Sequence, residues 1–75
     1  MNQLSEIKAG ETVIVENLYA KDLLKERMLA LGMTKGAQIE VIRKGPANNL
    51  TVYKIRGTMI ALRREEASLV HVSIN

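Results

Sequence analysis

Few side chains in this sequence could take part in acid–base or metal chemistry. The 75 residues contain a single histidine, His71, and no cysteine, which excludes disulfides and thiolate metal sites. His71 stands between two valines, a pattern typical of a strand. It could join Glu65 or Glu66 at a metal ion, but no third ligand is evident. We therefore expect no tightly bound iron or other metal, and no cofactor.

The remaining nucleophile and acid–base candidates are equally weak. None of the serines Ser5, Ser68 and Ser73 has neighbours that would provide a base and an oxyanion hole. Glu65 and Glu66 are adjacent, so they need not face a common substrate as a two-carboxylate mechanism requires. The sequence thus predicts no catalytic residues and a protein that is not an enzyme.

The charge balance permits an acidic partner without demanding one. Eleven basic and eight acidic residues give a net charge of +3 and a pI near 9.5. Basic residues lie in and beside the predicted strands, which raises the possibility of RNA binding. Small barrels that bind RNA usually carry several aromatic residues on which bases stack, however, and Tyr53 is the one aromatic residue in these strands. We expect no nucleic-acid partner. No apolar run approaches the ~18 residues of a membrane span, and the N-terminus lacks a signal-peptide layout. The predicted location is the cytoplasm, without direct membrane insertion.

The clearest local signal is a joint between a helix and a strand. The pattern predicts a helix from about Lys21 to Leu31, with Gly32 just beyond its end, where the left-handed conformation suits glycine. In that register Met28 and Met33 form the apolar pair of a Schellman motif. Gly36 gives a second permissive position immediately before the next strand.

Alternating apolar residues and turn signals predict the other elements. The predicted strands cover residues 11–16, 38–43, 51–56, 59–63 and 69–74, with a tight reversal at Gly57, a helical turn at residues 64–67 and a loop or single turn near residues 4–7. In a chain of this size, a sheet that curls on itself buries one face and protects its edges. We predict a single domain, residues 1–75, that is mainly β: a small, partly open barrel of about five strands with one short helix between the first and second strands.

The predicted helix carries more apolar residues than one buried face needs. Leu24, Met28 and Leu31 share a face at helical spacing. Leu23, Leu29 and Met33 cannot all join that face. The surplus suits either additional core packing or an adaptable protein interface, and the sequence leaves that division open.

Two segments together resemble the family of ferrous iron transport protein A (FeoA). The first is LLKERMLALGMTKGAQIEVIRKGP, with its LGM-x-x-G joint, and the second is RGTMIALRREEASLVHVSI, with its G-x-x-I-A-L-R-x-x-x-A pattern. The resemblance implies an SH3-like barrel related to the C-terminal domain of diphtheria-toxin-repressor-type regulators. The chain departs from the family pattern at Lys35, where proline is common, and at residues 48–50, where Gly-Asp-Pro is common.

The resemblance also implies a function. It indicates a non-enzymatic cytosolic accessory protein of bacterial ferrous iron uptake that binds the cytosolic GTPase part of the FeoB transporter, at the inner face of the membrane. Transition metal ion binding is a term applied to the family as a whole. The partner-binding residues would be Met28, Leu29, Met33, Lys35 and Arg43, whereas Gly32, Gly36 and Gly57 would shape turns. The alternatives are a stand-alone SH3-like module of a metal-responsive repressor system and, less favoured, a small RNA-binding barrel.

Overall fold

The computed structural model describes residues 2–74, apart from the side chain of Asn48, and confirms a mainly β fold. The strands are β1 (Asn2–Gln3), β2 (Thr12–Leu18), β3 (Gln38–Lys44), β4 (Leu50–Ile55), β5 (Thr58–Arg63) and β6 (Val70–Ile74); the helices are α1 (Asp22–Ala30) and α2 (Arg64–Ala67), with 3₁₀ turns at Leu4–Glu6 and Pro46–Asn48. The strand missing from the prediction is β1, because two residues are too few to show an alternating pattern.

All six described strands form one antiparallel sheet in the order β1-β6-β2-β3-β4-β5. No pairing joins β5 to β1 within residues 2–74, so the SH3-like barrel is open, as predicted. The register shifts between Val15 and Asn17 and again between Val41 and Arg43. Ile42, the apolar residue that breaks the alternation of β3, falls in the second shift. Such bulges bend a strand and let a small sheet curl around its core.

The core fills the concave side of this sheet with aliphatic side chains. Its fully buried strand residues are Val13, Val15, Ile39, Val41, Tyr53, Ile55, Leu62, Val70 and Val72. Tyr53 is the large central residue, and its phenol oxygen makes no well-formed hydrogen bond. Burial raises the pKa of the Tyr53 phenol above its ordinary value of 10.0, and the nearby Thr51 side chain opposes part of that rise. The tyrosine is therefore a structural residue rather than an acid or base.

Helix α1 ends in the predicted Schellman motif. The Gly32 amide donates to the Leu29 carbonyl at 3.0 Å, and the Met33 amide donates to the Met28 carbonyl at 3.1 Å. Gly32 has a φ of 105°, which strains any residue with a Cβ. The chain then turns back onto β2, where the Gly36 amide donates to the Val15 carbonyl at 2.8 Å. These bonds fix where α1 lies relative to the sheet.

The connection between β4 and β5 is a two-residue hairpin. Arg56 and Gly57 have φ values of 51° and 78°, and Ile55 pairs directly with Thr58 across the turn. Two consecutive left-handed residues define a type I′ turn, for which Asn-Gly is the preferred sequence. Arginine in the first position is therefore unusual.

Candidate functional site

Two of the predicted partner-binding residues lie inside the protein. Met28 and Met33 are both 0% exposed and belong to the main hydrophobic cluster. The Schellman motif explains this, because it brings the residues at these two positions together against the core. Neither side chain is presented at the surface, which corrects the prediction that they contact a partner directly.

The other predicted positions on the helix and in the turn are accessible. Leu29 is 39% exposed at the C-terminal half of α1, and Leu23 is 80% exposed nearer its start. Lys35 is exposed in the turn that follows Thr34. Met28 is the one fully buried side chain within Asp22–Ala30, all of which the structure describes. The surplus apolar residues of α1 thus divide between core and surface at adjacent positions.

Arg43 lies away from this region. It is exposed near the end of β3, five residues beyond Gln38, and a strand rises about 17 Å over that distance. Its neighbour Lys44 donates to the Ser5 carbonyl at 2.9 Å, which places this end of β3 beside the N-terminal 3₁₀ turn. The structure therefore does not bring Arg43 together with Leu29 and Lys35.

A groove of about 280 Å³ separates the end of α1 from the β4–β5 hairpin, and we call it the joint groove. Its lining residues are Leu29, Ala30, Leu31, Gly32, Thr34, Ile55, Arg56 and Thr58. Its floor requires glycine, because a Cβ on Gly32 would lie 2.9 Å from Cγ2 of Ile55. The groove combines apolar side chains with a single cation, Arg56.

Arg56 belongs to this site although no sequence pattern predicted it as a partner-binding residue. Its guanidinium Nη2 lies 3.3 Å from the Thr34 hydroxyl, to which it donates, so it connects the hairpin to the joint. Arg56 also borders a second groove, of about 440 Å³, on the outer face of the sheet together with Glu40 and Lys54. The available signal was the Arg56–Gly57 pair in a predicted reversal, where Asn-Gly would be expected.

An ion pair holds the other side of α1. The Arg27 guanidinium lies 2.7 Å from Oε2 of Glu66 in α2, while the other oxygen of Glu66 accepts the Arg63 amide at 2.9 Å. This pair connects α1 to the short helix that follows β5. Just beyond the C-terminal end of α1, Gly32 lies against Ile55 and Arg56 at the β4–β5 hairpin.

The histidine has a structural neighbour rather than a ligand set. His71 is partly buried, and its ring packs edge-on against Tyr19 with centroids 4.5 Å apart. Within residues 2–74, no three His, Asp or Glu side chains converge as metal ligands would. Tyr53 is 0% exposed, so it cannot stack on a base. Neither helix of the described chain is long and apolar enough to cross a bilayer.

Comparison with known proteins adds a family context to this geometry. The family model of the FeoA domain matches residues 2–74. The chain is 30% identical over 71 residues to a putative Fe(2+) transport protein A of Campylobacter jejuni, covering 95% of this chain and 96% of that protein. It is 26% identical over 72 residues to a fusion of Fe(2+) transport protein A with the Fe(2+) transporter FeoB from Porphyromonas gingivalis, covering 96% of this chain but only 8% of the fusion protein.

Solved structures agree with the fold. The solution structure of a FeoA protein from Chlorobium tepidum superposes with a TM-score of 0.89 at 32% identity, covering 96% of this chain and 69% of that one. A manganese-dependent transcriptional repressor superposes with a TM-score of 0.89 at 17% identity, covering 99% of this chain and 36% of the repressor. At that identity the second likeness concerns the fold alone, and it agrees with the expected SH3-like fold.

Proposed function

Because this chain belongs to the FeoA family of ferrous iron transport, we propose that it is a non-enzymatic accessory protein of bacterial ferrous iron uptake. In this proposal it binds the cytosolic, GTP-hydrolysing part of a FeoB-type transporter. The members of this family are small accessory domains, and the family is not a known enzyme family. Residues 1–75 act as one domain in the cytoplasm, held at the inner face of the membrane through the partner.

The Porphyromonas gingivalis protein supports the choice of partner. There, a segment similar to this chain is joined to FeoB within one polypeptide. A covalent connection keeps two domains at a high effective concentration, so even a weak contact between them is occupied. In a separate chain the same contact must form between molecules, and its surface must be accessible.

The joint groove is the observation that carries the proposal. Its lining includes the 39% exposed side chain of Leu29 and Arg56, and the Schellman turn and the hairpin fix its two walls. Arginine is enriched at protein interfaces, and the exposed part of Leu29 adds apolar area for a partner to bury. Lys35, in the adjoining turn, adds positive charge that attracts an acidic partner surface.

The test compares two leucines on the same helix. Leu29→Gln removes the apolar anchor of the groove, whereas Leu23→Gln changes a leucine that is 80% exposed and about 120° away around α1. We expect Leu29→Gln to weaken binding of the transporter's purified cytosolic part about tenfold, the loss typical of a modest interface anchor. Leu23→Gln should leave the dissociation constant within about twofold.

Calorimetric titration of the folded variants measures both constants. Absence of any association between the wild-type chain and the transporter's cytosolic part would overturn the proposed function. Association that is weakened equally by both substitutions would retain the partner but place its contact elsewhere than the joint groove.

A further inference from the structure

Strand β5 forms one edge of the sheet, and its pairing with β4 shows which backbone groups are free. Opposite residues in an antiparallel pair alternate between hydrogen-bonded and non-bonded positions. A two-residue turn makes Ile55 and Thr58 a bonded pair. By alternation, the backbone groups of Met59, Ala61 and Arg63 point away from β4, toward the outside of the sheet.

A side-chain contact supports this assignment. The Arg63 amide, which should point outward, donates to the Glu66 carboxylate at 2.9 Å instead of to β4. No such partner occurs for the amides of Met59 and Ala61 among residues 2–74. The open edge thus offers two donors and two acceptors, beside a Met59 side chain that is 57% exposed.

This edge lacks the features that usually prevent pairing with another chain. Proteins protect edge strands with bulges, prolines, charges or very short length, or cover them with a helix or loop. Strand β5 pairs with β4 over six consecutive residues without a register shift, and the run Thr58–Leu62 contains neither proline nor charge. Helix α1 approaches β5 only at its Thr58 end, across the joint groove, whereas the side chains of Met59 and Ala61 are exposed.

Charge identifies the kind of chain that fits. Arg56 stands at one end of β5, and Arg63 and Arg64 stand at the other. Lys54, directly opposite Met59, also lies opposite Glu40 of β3, so it adds little net charge. The nearest acidic side chain of α2, Glu66, is already paired with Arg27. A second copy of β5 added antiparallel would place like charges opposite each other, which is unfavourable. An extended segment with acidic side chains would meet complementary charge at both ends.

We propose that β5 is a strand-addition site for an extended acidic segment of the partner protein. The segment pairs with the backbone of Met59 and Ala61 and continues past Thr58 into the joint groove. Main-chain hydrogen bonds then supply affinity, while the basic residues supply selectivity. The identity of the partner as the transporter rests on the proposed function above; the strand-addition site itself does not.

One experiment uses two substitutions at the same position. Ala61→Pro removes the outward amide, and edge strands tolerate proline there because that amide is absent from the ladder. Ala61→Val keeps the amide and favours the strand. We expect Ala61→Pro to weaken binding of the transporter's cytosolic part at least tenfold, and Ala61→Val to change it less than about threefold. Binding by a folded Ala61→Pro variant at wild-type strength overturns strand addition while the proposed function stands.

A second experiment does not involve the transporter. The probe is a blocked peptide of alternating valine and glutamate, with a valine–lysine peptide of the same length as the control. In amide spectra of the wild-type chain we expect the acidic peptide to shift Met59 and Ala61, and the basic peptide to shift neither. If the acidic peptide shifts these amides but the chain does not bind the transporter's cytosolic part, the proposed partner is wrong and the strand-addition site stands. No shift with the acidic peptide, or equal shifts with both, would overturn strand addition to an acidic segment.

Discussion

The interior of the sheet differs from the margin formed by α1 and β5 in side-chain burial and in backbone hydrogen bonding. In the interior, the inward side chains of β2, β3, β4 and β6 are almost completely buried, and neighbouring strands pair their backbones. Along the margin, Leu29 and Met59 remain 39% and 57% exposed, and two backbone amides of β5 have no partner within residues 2–74. We therefore expect substitutions in the interior to change stability, and substitutions along the margin to change binding of the proposed partner.

The difference extends to backbone conformation. Within the paired strands, local sequence preference agrees with the fold, since β-branched residues alternate along extended segments. At the margin, Arg56 occupies a left-handed position that asparagine or glycine would adopt more easily. Residues held in unfavourable conformations concentrate at functional sites, and this arginine borders both grooves. Substitutions on the two sides of this division should therefore have different consequences.

The largest effect should come from Met28→Gln, which tests the interior. Met28 is 0% exposed and is the one fully buried residue of Asp22–Ala30, so the change removes apolar packing and buries an amide. We expect a loss of about 3–5 kcal/mol in the free energy of unfolding, measured by urea denaturation. The neighbouring Leu29→Gln, on the margin, should cost less than about 1 kcal/mol. Similar losses for the two variants would contradict the division between core and surface along α1.

Gly32→Ala and Gly36→Ala give a smaller, matched contrast within the joint. Both glycines have a positive φ, of 105° and 89°, so alanine should cost about 1–2 kcal/mol at either position. Only at Gly32 would the new Cβ meet a neighbour, Cγ2 of Ile55 at 2.9 Å; no atom lies within 4 Å at Gly36. We expect Gly32→Ala to lose about 1–2 kcal/mol more than Gly36→Ala in thermal unfolding. Equal losses would show that the groove floor can yield.

The sequence predicted the interior better than the margin, for identifiable reasons. Periodicity and glycine spacing located the five longer strands, α1 and the Schellman turn, because these depend on residues close together in the chain. The Schellman motif predicted the contact between Met28 and Met33, but the sequence does not show that this pair packs against the core rather than a partner. Arg43 was grouped with the joint because sequence patterns carry no distances between the ends of a strand. The importance of Arg56 depends on which elements flank the hairpin, and that information is three-dimensional.

The smallest stability effect, and the sharpest test of the comparison, should come from Arg56→Asn. Asparagine suits the first position of a type I′ turn, so we expect a gain of about 0.5–1 kcal/mol, or roughly 2–8 °C in Tm. The same change removes the cation between the two grooves and the donor to Thr34. Binding of the transporter's cytosolic part should weaken even though the fold is more stable.

Arg56→Lys is the matched control, because it keeps the charge while leaving the turn strained. It should leave Tm within about 2 °C of the wild type and retain most of the binding that Arg56→Asn loses. If Arg56→Asn lowered Tm instead, the bond to Thr34 would outweigh the strain of the turn, and Arg56 would belong to the structural region. If Arg56→Asn raises the stability and weakens binding, the wild-type arginine makes the turn less stable but provides a cation that a partner can reach.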